Sequence, residues 1–128
     1  MTKTTEHEAR FQEKYGNALP KGDGDCFDKA VEVAERLEKH YPDIRIVHGE
    51  PIGTGGEALG IRFPHAWVEL DLNGLVFVID ESNGNSVMIS KNDYYTIGNI
   101  VEADAMKYTM TEARIMMLKH KHYGPWHW

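Results

Sequence analysis

Three side chains stand out for the chemistry they could do together: Cys26, His65 and Asp80. A thiolate is a strong nucleophile, an imidazole exchanges protons near neutral pH, and a carboxylate can hold the imidazole in one tautomer. Cys26 is the only cysteine in the chain, so it cannot close an internal disulfide. It is either a small buried hydrophobe or a reactive thiol. Its place favours the second reading, because it follows Gly22-Asp23-Gly24-Asp25 and heads a helical pattern. Unpaired N–H groups and the positive end of the helix dipole gather at such a position, where they favour a thiolate and can hold an oxyanion. Asp23 and Asp25 oppose this unless they turn away as caps.

The other two side chains are placed by a hairpin. Asn73-Gly74 is a strong two-residue turn signal between the runs His65 to Leu72 and Leu75 to Asp80. If Leu72 pairs with Leu75, then Leu70 faces Phe77, Val68 faces Ile79, Trp67 faces Asp80 and His65 faces Ser82. Ala66, Val68, Leu70, Leu72, Leu75, Phe77 and Ile79 then share the core face, and His65, Trp67, Glu69, Val76, Val78 and Asp80 share the other. His65 and Asp80 are diagonal neighbours, within reach of a hydrogen bond. A surface His–Asp pair without a task has the same pattern, and a one-residue bulge would undo the register.

The remaining elements must bring the helix start to this hairpin. Phe27, Ala30, Ala34, Leu37 and Tyr41 form one stripe at helical spacing, which Pro42 stops. Ile44 to His48, Leu59 to Phe63 and Val87 to Ile89 read as further strands. Thr109 and Glu112 form a capping box for a last helix with Ala113, Met116, Met117 and Leu118 on its apolar stripe, before Gly124-Pro125. Residues 5 to 14 read as a polar helix or an arm. Helix, strands, helix is the order of an α+β domain with an antiparallel sheet, and 128 residues without a linker read as a single domain, 1–128.

Composition excludes several other functions. The chain is 41% hydrophobic and 27% charged, as in ordinary globular proteins, with a net charge of −6 and no basic block. Nucleic acid and anionic membrane surfaces are therefore poor partners. The longest apolar run, Leu75 to Ile79, is far too short to span a membrane, and the polar N-terminus lacks the apolar centre of a secretory signal. With the lone cysteine, this reads as a cytoplasmic protein.

Gly24-Asp25-Cys26-Phe27-Asp28-Lys29-Ala30, His65-Ala66-Trp67-Val68-Glu69 and Val78-Ile79-Asp80 resemble the core of transglutaminase-like proteins, relatives of papain-type cysteine peptidases. In that superfamily a Cys heads a helix, a His opens the next key strand and an Asp ends its neighbour. The resemblance spans residues 24 to 80 and implies a Cys–His–Asp triad, without a cofactor, that makes an acyl-enzyme from an amide or ester. Its members include peptidases, amidases, deamidases and cross-linking acyltransferases, so it implies a protein or peptide substrate. Trp67 would wall the site. Papain-type enzymes use a Gln shortly before the Cys as an oxyanion donor; none stands there, which leaves Gln12, Tyr15 and Asn17 as candidates. Two rivals remain: a papain-like peptidase of the cell-wall amidase type, disfavoured by the cytoplasmic signals, and a catalytically silent module that binds a protein partner.

Other signals carry less. Asp23, Asp25 and Asp28 lack the spacing of a calcium loop. His120, His122 and His127 have no Cys or carboxylate at ligand spacing and are read as helix-end and tail residues, so no metal is expected. Gly53-Thr54-Gly55-Gly56 lacks the Lys-Ser/Thr of a phosphate loop and reads as a flap or a plain loop. Tyr123-Gly124-Pro125-Trp126-His127-Trp128 is expected to pack on the domain rather than to bind a partner.

Overall fold

The computed structural model describes residues 25–54, 59–82, 84 and 86–127. Its first element, α1 (Cys26–Leu37), buries Phe27, Ala30, Val31 and Ala34 along one side, as the apolar spacing requires. It ends at Leu37, before Pro42: the amides of His40 and Tyr41 both return to the Leu37 carbonyl, tightening the last turn. Tyr41, expected on the buried stripe, lies beyond the helix and is exposed. The residue before a proline avoids helical backbone.

Five strands follow in an antiparallel sheet: β1 (Arg45–Gly49), β2 (His65–Leu72), β3 (Leu75–Asp80), β4 (Val87–Ser90) and β5 (Met106–Thr109), in the order β4-β3-β2-β1-β5. With α3 (Met110–His120) closing the chain of elements, the fold is α+β, with helices at both ends of the order. Asn73 and Gly74 take φ of 57° and 89°, the two positive values that a tight hairpin turn needs. The register is the one the turn implies, with Leu72 opposite Leu75, Leu70 opposite Phe77 and Val68 opposite Ile79. The core face runs out at the turn, where Leu75 is exposed.

Leu59 to Phe63 does not form the expected strand. Only two isolated bridges occur there, Ile52 with Arg62 and Gly53 with Leu59, because Gly60 at φ 73° breaks the extended run. Two further elements, besides a short 3-10 turn at Glu102–Asp104, have no signal in the sequence. β5 has only four residues and pairs with β1 from the far end of the sequence. The second, α2 (Lys91–Ile97), follows β4 directly, and the Ser90 side chain caps it by accepting from the Asp93 amide. Its tyrosines are adjacent rather than spaced three or four apart, so no apolar stripe announces it.

These elements cover the sheet on both faces. α1, α3 and the tail pack on one face around Ile44, Ile46, Ala66, Val68 and Tyr108. On the other, Tyr94, Tyr95, Ile100 and Ala105 enclose Val47, Trp67 and Val78. The first six residues of β2 are consequently all buried, so the hairpin's second face is a second core, not an open surface. Gly49 makes it possible: a Cβ there would lie 2.4 Å from Cη2 of Trp67. Gly49→Ala should force the indole aside and destabilise the protein by about 1–3 kcal/mol, measured by urea denaturation. An unchanged midpoint would show that the second core yields easily.

At the C-terminal end, Thr109 accepts from the Glu112 amide while the Glu112 side chain accepts from the Thr109 amide, completing the expected capping box. Ala113 and Met117 are buried, but Leu118, one residue off their line, is exposed. The helix stops at His120, and Lys121 adopts left-handed backbone. Beyond it Tyr123 and Trp126 are buried in the first core, so the described part of the tail packs on the domain; Trp128 lies outside the described residues.

Candidate functional site

β2 begins and β3 ends at the same edge of the hairpin, which brings His65 and Asp80 together. His65 Nε2–H donates to Asp80 Oδ2 at 2.8 Å. Cys26, the first residue of α1, lies near enough to the same imidazole to raise its pKa. With Nε2 committed to Asp80, Nδ1 is the ring nitrogen left for another partner. Cys26 is only 6% exposed and His65 8%. Phe63 packs edge-on against His65 at 5.4 Å, and the Trp67 ring lies 6.1 Å from it. Trp67 itself is fully buried, and its Nε1–H donates to Glu69 at 2.9 Å. It therefore shields the imidazole from within.

Asp80 is held from three directions. Besides His65, the Tyr94 hydroxyl donates to Oδ2 at 2.6 Å and the Ser82 hydroxyl to Oδ1 at 2.8 Å. Burial works to raise the carboxyl, but the bonds from His65, Tyr94 and Ser82 outweigh it and hold Asp80 below the ordinary carboxylate range. His65 shows the mirror effect: burial pulls it down, while the Asp80 carboxylate and the Cys26 sulfur push it up to about 10. The stabilisation from protonated His65 is thus complete below its unfolded value, near 6.5, and is lost as pH rises through about 10. That from ionised Asp80 is complete above its unfolded value and is lost as pH falls through its lowered one.

No protein-family model, curated protein or solved structure matches the chain. The site must therefore be judged on its own residues. Of those expected from sequence, Cys26, His65, Asp80 and Trp67 come together, and Gln12, Tyr15 and Asn17 lie outside the described residues, as does Asp23. Asp25 occupies the N-cap position of α1, but its side chain makes no cap bond.

Tyr94 and Ser82 were not anticipated. Ser82 was legible in principle, since the hairpin count places it opposite His65 and two residues beyond Asp80. Tyr94 was not, because it arrives on a helix without a periodic signature. Among the described residues no group of three potential metal ligands occurs, and no helix is long and apolar enough to cross a membrane. A groove of about 320 Å³ lined by Arg45, Glu69, Lys91 and Lys107 lies further along the sheet and includes none of Cys26, His65 or Asp80.

Proposed function

We propose that this chain is a thiol-dependent hydrolase or acyltransferase of the transglutaminase-like kind, acting on an amide bond of a protein or peptide. The observation that carries the reading is an imidazole bound through Nε2 to a buried carboxylate at 2.8 Å, with the only cysteine of the chain near enough to raise its pKa. Such an imidazole is held in one orientation and in its protonated form, a proton source beside a nucleophilic sulfur. Cys26 attacks the carbonyl carbon, and backbone N–H groups at the head of α1 stabilise the oxyanion. The C–N bond then breaks as His65 gives its proton to the leaving amine, leaving a thioester on Cys26. Water or a second amine, deprotonated by His65, attacks the thioester and restores the thiolate.

The near-complete burial of Cys26 favours a second reading, a silent fold that binds a protein partner. Alkylation by iodoacetamide, followed by intact mass, separates them. The enzyme reading expects Cys26 to react rapidly already near pH 6, with His65→Ala slowing the reaction at that pH at least about tenfold. A peptide thioester or activated ester should also leave an acyl adduct on the wild type and none on Cys26→Ala. A thiol that reacts only above pH 8 would sink the enzyme reading.

A further inference from the structure

We infer that Tyr94 is a positioning residue that aims the Asp80 carboxylate at His65, acting from the opposite layer of the fold. The inference deepens the proposed function and rests on it for its kinetic consequence, though not for its geometry. Asp80 is the last residue of β3, where its backbone pairs with Val87 of β4. Three side chains bind its carboxylate: His65 from β2, Tyr94 from α2, and Ser82 from the segment that follows β3.

Oδ2 is the decisive atom, because it accepts from His65 and Tyr94 together, whereas Oδ1 accepts from Ser82. A carboxylate pinned at both oxygens cannot rotate away from Nε2–H, and a carboxylate that accepts several bonds stays ionised. The phenol suits this task. Burial, with the Asp80 charge beside it, holds its pKa far above the usual tyrosine value, so it remains a donor at any working pH. Its ring packs on Trp67 at 5.3 Å, so the hydroxyl is delivered by a side chain that the second core already fixes.

Tyr94→Phe keeps the ring against Trp67 and removes one donor, which makes it the informative variant. Two measurements are needed: the Asp80 carboxyl titration by carbon NMR, and Cys26 alkylation or acylation as a function of pH. The Asp80 titration should move up by about one unit or more, since a hydrogen bond to the charged form has been lost. The acylation rate should fall about tenfold, with its acidic limb shifted in the same direction. Ser82→Ala should produce a smaller shift, as Oδ1 is not the oxygen facing His65. If Tyr94→Phe leaves the Asp80 titration in place, the positioning role is overturned, whatever the thiol does. If the titration moves while wild-type Cys26 proves inert to acylation, Tyr94 still orders Asp80 and the enzyme reading is the one that fails. A destabilised Tyr94→Phe with both titrations unmoved would reduce Tyr94 to a packing residue.

Discussion

Asp80→Asn should lower the acylation rate of Cys26 by roughly two to three orders of magnitude. An amide nitrogen turned toward His65 cannot accept from Nε2–H, and an amide oxygen turned there carries no charge to favour imidazolium. The equivalent change in a serine triad costs about four orders of magnitude; a thiol, more acidic than a hydroxyl, depends less on its base. The variant should also bring the His65 titration down from about 10, since the Asp80 bond is the leading influence raising it. The stabilisation that accompanies His65 protonation would then be lost at lower pH than in the wild type. Proton NMR of the imidazole reads the first change, and urea midpoints across pH read the second. Glu69→Gln is the matched control. Glu69 shares the hairpin face but sits about 13 Å along β2 from His65, where it accepts from Trp67 and Tyr95 and lies 3.8 Å from Lys107. Its loss should cost stability and leave the His65 titration alone. A wild-type acylation rate in Asp80→Asn would remove Asp80 from the chemistry.

Trp126→Ala should be the most destabilising single change outside the site, at about 3–5 kcal/mol, or roughly 10–20 °C in Tm for a chain of this size. The indole is 7% exposed, meets Tyr108 edge-on at 4.9 Å and His48 at 4.8 Å, and donates through Nε1–H to the His122 carbonyl at 2.9 Å. Removing it opens a cavity beneath β1 and β5 and takes away the indole donor to that carbonyl. Tyr108 also hydrogen-bonds His127 at 2.6 Å, so the tail is fastened on both sides of Trp126. Scanning calorimetry decides. A Tm within a few degrees of wild type would mean that the tail lies on the surface without supporting it.

By itself the sequence determined what depends on neighbours in the chain. Asn73-Gly74 dictated a turn with two positive φ values, and the turn dictated which residues oppose one another, which is how His65 and Asp80 could be read as neighbours. The apolar spacing of α1 and the capping box of α3 were equally local, so their positions were legible to within a few residues. Tertiary structure decided what required distant segments to meet. β5 acquires its identity only by pairing with β1, and α2 only by covering Trp67 and Val78. For that reason the second core, the glycine that admits the Trp67 ring and the Tyr94 bond to Asp80 were invisible in advance. Leu59 to Phe63 failed in the opposite sense: strand-like residues did not become a strand, because Gly60 turns the backbone and only isolated bridges remain. A hairpin register follows from two residues at its tip, whereas a hydroxyl arriving from another layer is placed by the packing of the whole sheet.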